Sequence, residues 1–329
     1  MDSSAELDPY EIIPIDVLDS RFLDGKISRE LRWSYIQRYL LEFTDFLRRN
    51  HCRDVGFEII EDQVILAFQI TNSKPVRIKM VMSLNEIRGV PFITLAEGEY
   101  EPLITKVMLE LSIYSSHFLD VGANMGYYAL ALSTNNQNLK VEAFEPLEKM
   151  QEILRFNLKL NNLEKSINIH EYGLGNENFV TQIFVPKFTG SSGASLMKLH
   201  PEEGEHAVQA VEIKRLDSLM FNLENVDLIK IDVEGAEFST IQGAINLINT
   251  NKPTIMVELL RKWMAPFGST PQDVVTLLLS IGYEAYAVSD EIITRIDSIN
   301  EKTSETNFLF CHPEQVKHIE ILAGFVNRK

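Results

Sequence analysis

The spacing of apolar and polar positions changes rhythm near residue 96. Before it, residues 28–50 place Leu31, Tyr35, Leu40, Phe43 and Leu47 at helical intervals behind Ser28, an N-cap residue type, and so predict one amphipathic helix. Three short β-like runs follow, Phe57–Ile60, Val64–Ile70 and Val76–Met82, separated by Glu61-Asp62-Gln63 and Asn72-Ser73-Lys74-Pro75, breaks that read as hairpin turns. With an irregular, acidic lead-in over residues 1–20, the first 95 residues read as a small α+β region.

After residue 96 strands and helices alternate. The predicted strands are His117–Val121, Lys140–Glu145, Ile167–Glu171, Asp227–Val233, Thr254–Leu259 and Glu284–Val288, with Asn307–Cys311 as a final edge strand. The predicted helices are Glu101–Tyr114, Tyr127–Ser133, Leu147–Leu160, Glu237–Ile248 and Pro271–Ser280. Such alternation implies parallel strands joined by right-handed helical crossovers, a doubly wound α/β sheet. The strand centres are rich in Val, Ile and Leu, as expected when helices cover both faces. Val180–Pro186 and Val208–Leu216 alternate like strands on either side of a long loop of Gly, Ser and His.

Composition narrows the function classes. At 329 residues with 45% hydrophobic and 24% charged side chains, the chain can bury a sizeable core. Its net charge of −16 divides into −3 over residues 1–95 and −13 beyond, so the acidity is concentrated on the α/β part. An acidic surface repels phosphates, which speaks against nucleic acid or an anionic membrane as partner. No run approaches a membrane span, and the acidic start lacks the hydrophobic segment of a secretory signal. Two distant cysteines, Cys52 and Cys311, fit a reducing cytoplasm.

The most informative stretch is Asp120-Val121-Gly122-Ala123-Asn124-Met125-Gly126, where a buried strand meets a helix. In a doubly wound sheet, ligands bind at such strand ends. Gly122 lets backbone approach a ligand closely, Gly126 can adopt a conformation closed to other residues, and the helix N-terminus beyond suits a carboxylate. Asp120 can accept a hydrogen bond from an ammonium group. The pair suits an amino-acid end, such as the methionine part of S-adenosylmethionine; a tight turn without a ligand is the plainer alternative. The next strand ends in Glu145, about twenty residues beyond the glycine turn, the usual place of a carboxylate that receives ribose hydroxyls.

Asp120-Val-Gly-Ala-Asn-Met-Gly-Tyr-Tyr128, Ala143-Phe-Glu-Pro146, Leu154-Arg-Phe-Asn-Leu-Lys-Leu-Asn161 and Val226-Asp-Leu-Ile-Lys-Ile-Asp-Val-Glu-Gly-Ala-Glu237 together resemble the FkbM family of S-adenosylmethionine-dependent methyltransferases. So do Leu216-Asp217-Ser218-Leu219 and Glu99-Tyr100-Glu101-Pro102. The resemblance covers about residues 96–312 and leaves the N-terminal third unassigned. It implies a class I methyltransferase sheet of seven strands, mostly parallel, and O-methylation of sugars, polyketides or related metabolites. By match it places Asp120, Gly122, Asn124 and Gly126 around the methionine part, Glu145 at the ribose, and Gly173 and Leu174 against adenine, with Glu101, Tyr127, Pro146 and Asp232 as further donor-binding residues. Asn176 stands where many members carry Asp, so no adenine contact is carried over there.

Methyl transfer to a hydroxyl needs in-line alignment and a group that removes the proton. Strand alternation puts Lys230, Asp232 and Glu234 on one side of Leu228–Glu234, at the carboxyl end where a site belongs. Asp232 is expected as base or metal ligand, Glu234 as its neighbour or a substrate contact, and Glu258, ending Ile255–Glu258, as a third carboxylate, while Glu237 reads as a helix-dipole partner. A divalent ion beside Asp232 is compatible with these residues but no spacing demands it. The loop 187–209 reads as a lid carrying His200 or His206 over the acceptor, as a metal-binding run of alternating His and Glu, or, most plainly, as a solvated segment. The expected partner is a small-molecule or sugar acceptor, with a homodimer through the helix at 28–50 left open. The competing readings are an RNA or protein methyltransferase on the same fold and a non-catalytic S-adenosylmethionine-binding protein. No basic groove, nucleic-acid module or Asn-Pro-Pro-Tyr motif supports the former.

Overall fold

A computed structural model describes residues 20–49 and 55–326, apart from residues 72–73, 84–85, 87, 188–189, 200–204, 220–222 and 224. The chain falls into two compact units, Met1–Arg53 and Asp54–Lys329. In the first, helix α1 (Arg29–Arg49) opens as expected at Ser28, whose Oγ accepts the Leu31 N–H at 3.1 Å. The expected lead-in over residues 1–20 lies outside the described residues except for Ser20.

The second unit starts with an antiparallel meander, β1 (Gly56–Ile60), β2 (Gln63–Ile70) and β3 (Val76–Val81). A boundary near residue 95 is therefore not where the compact units divide. The physical reason lies in α5 (Glu148–Asn161), a helix of the α/β part. Asn157 and Asn161, one turn apart on its surface, act as a surrogate strand for the free edge of β3. Asn157 Oδ1 accepts the Val81 N–H at 2.9 Å; Asn161 Oδ1 accepts the Lys79 N–H at 2.9 Å, and its Nδ2 donates to the Lys79 carbonyl at 2.7 Å.

Next come α2 (Val90–Glu97) and α3 (Pro102–Ser112), and then the alternating series: β4 (His117–Val121), α4 (Tyr127–Asn135), β5 (Lys140–Phe144), α5, β6 (Ile167–His170). The short β7 (Gly173–Leu174) joins β8 (Phe179–Pro186) and β9 (His206–Lys214) in a separate three-stranded sheet of order β7-β9-β8. The series resumes with β10 (Leu228–Ile231), α6 (Glu237–Gly243), α7 (Ile245–Asn251), β11 (Thr254–Glu258), α8 (Arg261–Met264) and α9 (Pro271–Ser280). It ends with β12 (Glu284–Val288), β13 (Ile293–Ile296), β14 (Asn307–Cys311) and α10 (Val316–Phe325).

The large sheet has eight strands in the order β13-β12-β14-β11-β10-β4-β5-β6, one more than expected, because β13 adds an antiparallel edge to β12. β14 is not an edge strand: it inserts antiparallel between β11 and β12, where Phe308 and Phe310 are fully buried. The central strands β4 and β10 are buried throughout, which fits their Phe, Leu, Ile and Val positions; the buried Asp120 and Lys230 among them lie at the cavity. The helix expected over 237–248 is broken into α6 and α7 at Ala244, just after Gly243, where a Cβ would come within 1.8 Å of the Gly175 carbonyl oxygen.

Candidate active site

The sheet order reverses between β4 and β10: β5 and β6 extend to one side, β11 and the rest to the other. Outside their carboxyl ends lies a cavity of about 300 Å³, at the place where open α/β sheets bind ligands. Parallel register sets Lys230 beside Asp120 and Ile231 beside Val257, which brings Asp232 level with Glu258.

The glycine loop forms one end of the cavity. Gly122 lines it but is required for a reason the sequence did not give. Its φ is +83°, and a Cβ there would lie 1.9 Å from the Asp232 carbonyl oxygen, so it admits neighbouring backbone. Gly126 is not among the lining residues; at φ +88° it packs against Leu154, whose Cδ1 would be 2.2 Å from a Cβ. Asp120 lines the cavity, yet its Oδ2 accepts the Ala129 N–H of α4 at 3.1 Å, so part of the expected ligand receptor is a helix tether. Burial raises the Asp120 pKa to about 6 against the pull of Lys230.

Glu145 is likewise tied to backbone. Oε2 accepts the Asn124 N–H at 2.8 Å and Oε1 the Leu147 N–H at 2.9 Å, which fixes both the glycine loop and the start of α5. Its burial raises its pKa to about 7. A carboxylate has roughly four acceptor sites, so lone pairs remain for hydroxyls. Asn124, left-handed at φ 49°, uses Oδ1 on the Met125 N–H at 2.8 Å and Nδ2 on Ser191 Oγ at 3.2 Å. Pro146, Gly173 and Leu174 line the wall beyond, with Phe144 and Ile213. Tyr127 also lines the cavity, its hydroxyl 3.3 Å from Thr105 Oγ1.

The other end is a carboxylate cluster. Lys230, 6% exposed, donates from Nζ to Asp232 Oδ2 at 2.8 Å and lies 4.9 Å from the centre of the Tyr128 ring. Burial opposes its charge, but Asp232, Glu101 and Asp120 outweigh it and hold its pKa above the ordinary value. Tyr128 donates to Glu101 Oε2, and burial holds the Glu101 pKa above its usual range. Glu234 is left-handed at φ 52°, and its Oε2 is enclosed with no hydrogen-bond partner among the described residues. Burial, then the charge of Asp232, push its pKa well up. Glu258 is raised to about 8 by the same two causes in the same order. Glu237 does not line the cavity; it accepts the Gly235 N–H at 2.8 Å, as a helix-terminus carboxylate would.

The loop that reads as a lid does cover the cavity, through its small residues. Gly190–Leu196 supplies Ser191, Ser192, Ala194, Ser195 and Leu196 to the cavity wall. Ser191 donates from both N (2.8 Å) and Oγ (2.6 Å) to Glu86 Oε2, while Lys149 Nζ binds Glu86 Oε1 at 2.7 Å. Ser195 Oγ donates to the Glu234 carbonyl at 2.7 Å. Of the expected histidines, His206 starts β9 outside the lining residues, and His200 lies outside the described residues. The Gly190-Ser-Ser-Gly-Ala-Ser195 run was the legible signal, since small hydroxyl residues allow close backbone approach. Among the described residues, no group of three or more His, Cys, Asp or Glu is arranged to hold a metal ion. No helix of the described residues is long and apolar enough to cross a membrane.

With this geometry established, comparison with known proteins is direct. The family described as Methyltransferase FkbM domain matches residues 120–285, half of the chain, and the match includes the glycine loop, Glu145 and the β10–β11 carboxylates. The chain is 30% identical over 146 residues to Methyltransferase 1 of Beauveria bassiana, covering 39% of this chain and 58% of that protein. It is 29% identical over 182 residues to Methyltransferase sdnD of Sordaria araneosa, covering 45% and 68% respectively. A solved structure, methyltransferase FkbM of Methylobacillus flagellatus, is 17% identical with a TM-score of 0.38, covering 60% of this chain and 43% of that one. The chain spans less than two thirds of the length of the first of these relatives, has a Rossmann-like α/β fold, and belongs to the FkbM methyltransferase domain family.

Proposed function

We propose that this methyltransferase uses S-adenosylmethionine to methylate a hydroxyl oxygen of a sugar or another small metabolite. The observation that carries the reading is a single cavity whose glycine-loop end faces a carboxylate cluster containing an enclosed, unpartnered oxygen on Glu234. Residues of the loop end fit the donor. The remaining acceptor sites of Glu145 suit vicinal hydroxyls, and Phe144, Leu174 and Ile213 offer an apolar wall to a planar base. Charge supports the fit as well. Glu101, Asp120, Glu145, Asp232, Glu234 and Glu258 face only Lys230 and Arg88 among the lining cations, and such an acidic enclosure favours a cationic ligand.

S-adenosylmethionine, when bound, supplies a methyl group activated by a positively charged sulfur. The chain's own contribution is alignment, exclusion of water and proton removal. Asp232, Glu234 and Glu258 sit together at the end of β10 and β11. An acceptor hydroxyl donating to Glu234 Oε2 satisfies an oxygen that burial otherwise leaves without a partner. The carboxylates of this cluster would take up the proton that the acceptor hydroxyl loses when the methyl group leaves its sulfur, which is left as a neutral thioether. Lys230 keeps a compensating charge on Asp232 throughout. The acidic surroundings disfavour phosphate-bearing acceptors.

The test is transfer of tritiated methyl from S-adenosylmethionine into a panel of monosaccharides, hydroxylated polyketides and hydroxylated amino acids, with oligonucleotides and peptides as controls. Label in an ether linkage of a small hydroxyl compound is the expected result. Label confined to nitrogen or to the controls, or no calorimetric binding of S-adenosylhomocysteine, would sink the proposal.

A further inference from the structure

We infer that Ser195 is a positioning residue, whose hydroxyl holds the turn after β10 so that the Glu234 carboxyl is presented to the acceptor. The inference rests on the role proposed above for Glu234. Three observations support it. First, Ser195 is 1% exposed, and its hydroxyl donates to the Glu234 carbonyl at 2.7 Å. Second, Ser195 is itself fixed: its N–H donates to the Phe184 carbonyl at 3.1 Å and its carbonyl accepts the Phe184 N–H at 2.8 Å, a two-way bridge to β8. Third, the turn is strained and wedged. Glu234 is left-handed at φ 52°, a conformation unfavourable for a residue with a Cβ. Gly235 follows at φ 104°, where a Cβ would lie 2.5 Å from the Trp263 carbonyl oxygen and 2.6 Å from the Phe267 ring.

The turn is thus gripped from two sides, by β8 through Ser195 and by the α8 region through Trp263. A strained backbone persists where its surroundings over-determine it. The hydroxyl of Ser195 is the polar half of that grip, and the Glu234 side chain carries the unpartnered Oε2. The same cover reaches the donor end through Ser191, bound to Glu86 and to Asn124 of the glycine loop. Ser191 and Ser195 therefore divide the work: Ser191 secures the donor loop, Ser195 the acceptor carboxylate.

Protein labelled with 13C at the glutamate carboxyls tests this at a single pH, with the Glu234 resonance assigned by its loss in Glu234→Gln. S-adenosylhomocysteine serves as the binding probe in calorimetry. In Ser195→Ala the Glu234 resonance is expected to shift or broaden while the dissociation constant of the probe stays within about twofold. Ser195→Thr, which keeps the hydroxyl, restores the resonance. Ser191→Ala shows the reverse, an unchanged Glu234 resonance and about fivefold weaker probe binding. If Ser195→Ala fails to fold, Ser195→Cys, which keeps the volume and weakens the donor, gives the same reading. A Glu234 resonance unmoved by loss of the Ser195 hydroxyl overturns the inference alone. Full methyl transfer by Glu234→Gln overturns the underlying reading of Glu234 and the inference with it.

Discussion

The two ends of the cavity use acidic side chains in opposite ways. At the glycine loop, Asp120 and Glu145 accept three backbone N–H bonds, from Ala129, Asn124 and Leu147. At the β10–β11 end, Asp232 is held by a lysine and Glu234 Oε2 has no partner among the described residues. A carboxylate hydrogen-bonded to backbone stabilises the fold and shapes a site; a buried one left unsatisfied destabilises the fold and awaits a ligand. The difference separates the residues that build the site from those that act in it, although both kinds line the same cavity.

The comparison can be broken most sharply at Glu234. Glu234→Gln is expected to lower the methyl-transfer rate by about 10²–10⁴-fold, the range for loss of a positioned acid–base group, while S-adenosylhomocysteine binding changes less than about threefold. An equal loss of binding would place Glu234 with the structural carboxylates. Gly122→Ala should act on stability. Overlap with the Asp232 carbonyl and a left-handed backbone force β4 and β10 apart, which we expect to lower unfolding free energy by about 3 kcal/mol or more, a value typical of overpacking combined with backbone strain. Denaturant midpoints at constant slope measure it. Asn157→Ala leaves the Val81 N–H and the Met125 carbonyl without their partner and should destabilise by about 2–4 kcal/mol, showing that the meander and the glycine loop are held by one side chain.

Two pH experiments sharpen the contrast further. Glu258, raised to about 8, must be ionised to accept a proton, so the rate should climb with pH, reach half its plateau near pH 8 and level off roughly one unit above. Glu258→Gln should remove that limb; a profile flat from pH 6 to 9 in the native protein would exclude Glu258 from proton transfer. The smallest effect is on stability. Asp120 (about 6) and Glu145 (about 7) lie above their ordinary values of 3.8 and 4.5, so the fold favours their protonated forms. Their contribution is complete below about pH 4 and is lost as pH rises through 6 and 7. Tm should therefore fall between pH 5 and pH 8, and Glu145→Gln should flatten the fall. A Tm that rises over this window would contradict the burial assigned to both groups.

The element pattern was largely readable because apolar periodicity and turn residues are local properties. Pro271–Ser280 was found with its bounds intact, where a Thr270–Asp273 capping box marks the start. β13 was not anticipated: Ile293-Thr294-Arg295-Ile296 is a short, mixed segment that is a strand only because β12 offers it an edge. The placement of β14 inside the sheet was equally inaccessible, since a buried apolar strand reads the same at any position. At the site, the acidic strand ends were legible from their spacing, and of the residues expected to bind the donor or act in catalysis all but Gly126 line the cavity, whereas the histidine expected at 206 does not.

By itself, then, the sequence determined the doubly wound architecture, the glycine turn and the row of carboxylates at the strand ends, because each follows from the order and spacing of nearby residues. Tertiary structure alone decided which carboxylates are satisfied. Glu145 and Glu234 are the same side chain at comparable strand ends. One meets the N–H groups of Asn124 and Leu147, and the other is enclosed without a partner beneath a cover that begins elsewhere in the chain. Hydrogen-bond satisfaction depends on what folding brings within about 3 Å, and no local pattern encodes that.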